Sequence, residues 1–169
     1  MTRAVRRPAI AMNQDIQRYT SGGVFREFID GVLRREQPEK NGILRCWHAN
    51  GALAKECTLI DGKVCGLMRE FHENGKILRE TPYIEGMIHG MVKQWNSVGI
   101  LLGEYEMKKW RGVARKWYED GSPSLEMENI TSNAIRGKVW DDLGKVREVF
   151  LWNGKPVSKK KFHKKLAKS

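Results

Sequence analysis

Residues 66–90 read GLMREFHENGKILRETPYIEGMIHG, and the order of residue types in this stretch returns along most of the chain. An aromatic residue is followed four positions later by glycine at Trp47/Gly51, Phe71/Gly75, Trp95/Gly99, Trp117/Gly121 and Trp140/Gly144, with 22 to 24 residues between successive aromatics. A leading glycine recurs at Gly42, Gly66, Gly90 and Gly112, and a glutamate at Glu56, Glu80, Glu104, Glu126 and Glu148. Self-similarity at a fixed short period marks a repeat array. Upstream, Phe28, Gly31 and Glu36 repeat the scheme with a turn one residue shorter. The count is six units, of which the first and last are atypical, as capping repeats that meet solvent on one side usually are.

Asn50-Gly51, Asn74-Gly75 and Asp120-Gly121 are hairpin signals, because such dipeptides tolerate the two positive φ angles of a type I′ turn. Each unit is therefore predicted to be two short antiparallel strands joined by a two-residue loop. Counting outward from that loop sets residue i against residue i+11, so Arg45 faces Glu56, Arg69 faces Glu80, Lys93 faces Glu104 and Arg115 faces Glu126. Four units each place a base opposite an acid, an arrangement that stabilises a ladder by roughly 0.2 to 1 kcal/mol per pair. The same count sets Trp47 against Ala54, Phe71 against Leu78, Trp95 against Leu102 and Trp117 against Ser124. Because side chains alternate along a strand, aromatic, base and an apolar residue (Ile43, Leu67, Met91, Val113) share one face. Leu44, Met68, Val92 and Ala114 lie on the other. The expected fold class is all-β: a single-layer antiparallel hairpin solenoid of about twelve strands, on the order of 55 Å long, with aromatic stacking between neighbours as its main support.

The leading-glycine, aromatic, Asn-Gly and Glu columns resemble the MORN repeat, in the variant found in bacterial antitoxin-like and giant-virus proteins. Gly66, Phe71, Asn74, Gly75, Leu78, Glu80, Tyr83, Gly86 and Gly90 carry the resemblance nearly column for column, and it extends over about residues 23–154. It departs in the fourth unit, with Asn129 for the tyrosine and Ser132 for the third glycine, and in the fifth, where two residues are missing before Trp140. The resemblance implies a curved single sheet that holds another protein or, in some members, lies near phospholipid; lysine-rich ends accompany it in some viral relatives.

The expected organisation is an N-terminal segment at 1–22, repeats over 23–154, and a basic tail or helical cap at 155–169. DIQRYT at 15–20 either adds a strand or stays mobile. Phe162 and Leu166, four apart, give a short C-terminal helix an apolar stripe to lay over the last strand and close its edge. No apolar run approaches the roughly 18 residues of a membrane span. The basic start MTRAVRRPAIAM lacks the long apolar stretch of a secretory signal. Cys46, Cys57 and Cys65 are an odd number without CxxC spacing, which suits a reducing cytoplasmic setting, or a virion for a viral protein. A metal clip of these cysteines with His48 is weighed against small strand hydrophobes, and the latter is preferred because no other unit repeats the cluster. His72, placed like His48 after the aromatic, reads as surface near the turn.

The formal charge of +11 is concentrated at the ends, in Arg3, Arg6 and Arg7 and in Lys159, Lys160, Lys161, Lys164, Lys165 and Lys168. These lysines either solvate the terminus or meet phosphates of nucleic acid or anionic lipid. No Ser/His/Asp set, zinc-protease motif, dinucleotide loop or Walker loop is present, and the recurring glutamates each have a cross-strand base. No catalytic residue, metal or cofactor is expected. The expected binding groove combines Trp47, Phe71, Trp95, Trp117 and Trp140 with Arg45, Arg69, Lys93 and Arg115, because rings flanked by cations suit partner anchoring. Its occupant is expected to be another protein; a phosphate-bearing surface meeting the basic termini is the alternative. Loss of binding on Trp95→Ala would mark the first and loss on deleting 159–169 the second.

Overall fold

A computed structural model describes residues 15–168 as antiparallel strands followed by one short helix. Ten strands form the first sheet: β1 (Ile16–Ser21), β2 (Val24–Ile29), β3 (Val32–Pro38), β4 (Gly42–Trp47), β5 (Leu53–Ile60), β6 (Lys63–Phe71), β7 (Ile77–Ile84), β8 (Met87–Ile88), β9 (Gly90–Trp95) and β10 (Leu101–Met107). They pair in chain order, with β7 shared by β8 and β9. Five more form a second sheet: β11 (Val113–Trp117), β12 (Pro123–Asn129), β13 (Ala134–Trp140), β14 (Val146–Trp152) and β15 (Lys155–Pro156). Helix α1 (Lys159–Leu166) follows, its first turn capped by the Ser158 hydroxyl. The segment 15–20 thus contributes β1, while Arg3, Arg6 and Arg7 lie outside the described residues.

The expected charge pairs are register partners in all four hairpins: Arg45 with Glu56, Arg69 with Glu80, Lys93 with Glu104 and Arg115 with Glu126. The turns that set this register differ from expectation. At Asn50-Gly51 only the glycine has positive φ (83°), His48 N–H donates to Ala52 O at 2.8 Å, and Gly51 N–H to His48 O at 3.1 Å. The loop is therefore three residues, a type I turn closed by a left-handed glycine. A bulge then restores the count, since Cys46 pairs with Lys55 but Trp47 with Leu53. Phe71 likewise pairs with Ile77, Trp95 with Leu101 and Trp117 with Pro123, each beside a bulge, which corrects the expected partners Ala54, Leu78, Leu102 and Ser124. Two-residue turns with positive φ at both centres occur instead at the outer connections Asp61-Gly62, Glu85-Gly86 and Asn153-Gly154.

The core lies on the face opposite the charge pairs. Val92 (0% exposed), Cys57, Leu59, Thr81, Gln94 and Met107 are all buried there. Register sets the leading glycines on that face against large side chains: Gly42 against Leu59, Gly66 against Tyr83, Gly90 against Met107. A missing Cβ lets the neighbouring side chain lie flat across the strand, and in the second sheet a Cβ on Gly137 would stand 2.3 Å from Met127 Sδ. The ladder's ion pairs face the other way because water screens and hydrates them cheaply, whereas burying them would cost several kcal/mol per ion; on the core side, the Lys55–Glu70 pair at 3.4 Å keeps both side chains part-exposed.

Candidate functional site: a charge ladder with an aliphatic border

The pairs join into a ladder that crosses hairpin boundaries. Between units, Glu36 pairs with Arg45, Glu56 with Arg69 and Glu80 with Lys93. One row of alternating sign therefore runs Arg26, Glu36, Arg45, Glu56, Arg69, Glu80, Lys93, Glu104 through the first sheet. It resumes in the second as Arg115, Glu126, Lys138, Glu148. Ion-pair distances along it are 2.7 Å for Arg26 to Glu36, 2.8 Å for Arg45 to Glu56, 3.1 Å for Arg69 to Glu80, 3.9 Å for Lys93 to Glu104 and 3.3 Å for Arg115 to Glu126. These side chains are half-exposed, so each base keeps donor capacity toward solvent.

Two residues before the ladder bases Arg45, Arg69 and Lys93, on the same face, sits an aliphatic border. Ile43, Leu67 and Met91 are 44%, 39% and 44% exposed, and Ile60 and Ile84 are exposed as well. The border is covered at the C-terminal end. Phe162 of α1 is 1% exposed and packs on Phe150 at 5.2 Å and Trp152 at 6.4 Å between ring centroids. Lys159 Nζ lies 2.9 Å from Glu148 Oε2 and 5.8 Å from the Phe150 ring centroid, and so extends the ladder by one cation. The hydrogen bond from Lys159, together with its charge, holds the Glu148 carboxyl below the usual carboxylate value. Thus α1 lies over the ladder face of β14 rather than along the sheet edge, where β15 sits.

The five column aromatics, Trp47, Phe71, Trp95, Trp117 and Trp140, are each half-buried. Among the described residues their rings do not stack on one another as expected; Trp117 meets Tyr105 instead, at 6.3 Å. Neighbouring units are tied through the aromatics' backbone. The carbonyls of all five accept a side-chain donor from the preceding unit: Trp47 from Arg34 Nε (3.1 Å), Phe71 from His48 Nε2 (2.9 Å), Trp95 from His72 Nε2 (3.1 Å), Trp117 from Gln94 Nε2 (3.0 Å) and Trp140 from the Tyr118 hydroxyl (2.6 Å). His72 is accordingly an inter-repeat tie rather than a free surface group. The turns are linked too, Asn50 Nδ2 donating to Glu73 O and Asn74 Nδ2 to Ser97 O, at 3.0 and 2.8 Å.

Among the described residues no group of three or more His, Cys, Asp or Glu side chains is placed to hold a metal ion, and the three cysteines are free thiols. Burial raises the Cys57 pKa, which suits a packed thiol. Of the tail lysines, Lys159 pairs with Glu148 and Lys165 lies over the Trp152 ring at 5.2 Å, whereas Lys160, Lys161 and Lys164 are exposed.

Residues 64–85 match the family model of the MORN repeat variant. The chain thus contains a MORN repeat. The matched stretch runs from β6 through β7 and holds Arg69, Glu80 and the inner turn between them, so the MORN repeat here is the charge-paired hairpin that the register repeats on either side. No curated protein matches the chain. Among solved structures, TarM is 18% identical over 56% of this chain and 20% of that one, at a TM-score of 0.38. A point mutant of S. aureus TarM in complex with Fondaparinux, alpha-GlcNAc-glycerol and UDP is 16% identical over 57% of this chain and 20% of that one, at 0.39. The alignments span a fifth of the TarM chains, and nothing about this chain follows from them. Among the described residues no helix is long and apolar enough to cross a membrane.

Proposed function

We propose that this protein is a non-catalytic repeat scaffold that holds another protein on its ladder face, as one component of a larger assembly. The observation that carries the reading is the open aliphatic border Ile43, Leu67 and Met91 running beside the half-exposed bases Arg45, Arg69 and Lys93. An exposed apolar row rimmed by charge is the anatomy of a recognition surface. Arg115 continues the base row into the second sheet, and Trp47, Phe71, Trp95 and Trp140 add the ring area they leave in solvent, whereas the Trp117 ring lies over Gly103 and beside Tyr105. Three free thiols suit a reducing compartment.

The test is co-purification of the tagged chain from its native source beside a Leu67→Glu variant. The partner should be lost with Leu67→Glu and retained as salt rises. A partner set unchanged by Leu67→Glu would refute the reading.

A second reading rests on Lys160, Lys161 and Lys164, which α1 leaves exposed while Lys159 and Lys165 engage the sheet. Such a cationic face would meet phosphates of nucleic acid or anionic phospholipid. That binding should fall steeply with salt and vanish when residues 159–169 are deleted.

A further inference from the structure

The chain itself shows what a ladder face accepts. At β14 the occupant is a basic amphipathic helix, which buries one phenylalanine on the border residues Phe150 and Trp152 and sets a lysine against the ladder glutamate Glu148. Two and four residues after the corresponding glutamate in β7, the border residues are Pro82 and Ile84, with Leu67 opposite Pro82 and Met91 on the next strand. Here the face is uncovered: Leu67, Ile84 and Met91 are all exposed. Both places pair an apolar floor with a glutamate, and only one has its helix.

Charge favours a cationic occupant in the middle of the array. Between residues 42 and 107 there are seven Lys and Arg against eight Asp and Glu, a net of −1, while the whole chain carries +11. Residues 112–154 also net −1, with six Lys and Arg against seven Asp and Glu, but there α1 already covers the end of the ladder face; the central repeats are the open part of the array where an approaching lysine helix escapes the repulsion exerted by the ends. An eight-residue helix is about 12 Å long, enough to cover two or three strands spaced about 4.8 Å apart.

We infer that the surface formed by Leu67, Glu80, Pro82, Ile84 and Met91 docks a basic amphipathic helix of the partner protein, with an aromatic residue set on the aliphatic floor and a lysine one turn earlier paired to Glu80. This inference rests on the protein-binding reading above and specifies the partner's chemistry. The mode is a helix laid by its apolar side into a groove.

The probe is a fluorescein-labelled, amidated peptide of residues 157–168 (VSKKKFHKKLAK), titrated into the full chain and followed by anisotropy. Saturable binding is expected, weakened at least tenfold by Leu67→Glu or Met91→Glu in the protein and by Phe162→Ala in the peptide. Glu80→Lys should weaken it more at low salt than at high. Each protein variant is checked by circular dichroism, and Met91→Glu decides the matter should Leu67→Glu not fold. Absence of saturable binding would overturn the inference. So would equal binding to both border variants, sensitivity to Phe150→Ala alone, which would mean exchange at the α1 site, or loss of binding on self-association, which would make a second copy the occupant. A native partner lost with Leu67→Glu while the peptide fails to bind would leave the broader reading standing and remove this one.

Discussion

The two sheets carry the same alternating ladder and treat it differently. In the first, pairing passes from hairpin to hairpin and the ladder face stays open. In the second, the ladder restarts at Arg115 and α1 covers its end. The seam between β10 and β11 is where continuity is lost. Gly103 occupies the place held by Lys55 and Arg79 in the preceding hairpins, and a Cβ there would stand 2.4 Å from Trp117 Cζ2. The Trp117 ring fills the space a side chain would take, and β10 meets β11 there through packing rather than through a ladder. Charge order alone does not make neighbouring hairpins one sheet.

The largest expected effect separates the covered end from the open one. Phe162→Ala should remove about 3–5 kcal/mol from the seating of α1, as truncation of a buried phenylalanine does elsewhere. The helical signal should vanish and tryptophan emission shift to the red on exposure of Trp152, with the main unfolding transition of the first sheet unchanged. At the seam, Gly103→Ala should cost about 1–3 kcal/mol through displacement of Trp117, read as a lower midpoint in urea. The same change at Gly99, in a turn that leaves ordinary van der Waals room, should cost only its conformational strain.

Within the ladder, Arg69→Glu sets three carboxylates in a row with Glu56 and Glu80, and should cost about 1–2 kcal/mol, less at high salt. Lys138→Glu does the same between Glu126 and Glu148 and should match it, since the ladder is one device in both sheets. Asn74→Ala removes the bond to Ser97 O and the acceptor for Lys76 N–H, and should cost about 1 kcal/mol in thermal unfolding.

The smallest effect is one of pH. The Glu148 carboxyl is held low by Lys159, so its contribution to helix seating is present above the ordinary glutamate pKa of 4.5 and is lost as pH falls through the lower folded value. Tryptophan emission should therefore report α1 loosening only in acid below that value, and Glu148→Gln should abolish the step.

Much of this order was legible in the residues. The i+11 count set every charge pair of the four full hairpins, yet it assumed two-residue turns that these hairpins do not use. A loop one residue longer and a bulge one residue later cancel, which is why Arg69 still meets Glu80. The bulge leaves no mark in composition. The outer type I′ turns did leave one, in Asp61-Gly62 and Asn153-Gly154. The ties between units were hidden for a chemical reason: Arg34, His48, His72, Gln94 and Tyr118 share a task but no residue type, so they form no visible column. The aromatic rings drew attention as a binding row, while the structure half-buries them and leaves Ile43, Leu67 and Met91 as the open apolar border.

The ladder itself is tested most directly by zero-length carbodiimide cross-linking of the folded chain, with the linked peptides identified by mass spectrometry. Lys93 should join to Glu104 within its hairpin and to Glu80 across the boundary, and Lys159 to Glu148. Lys93 linked to Glu104 but never to Glu80, or joined instead to Glu70 on the opposite face, would contradict a ladder that runs from one hairpin into the next.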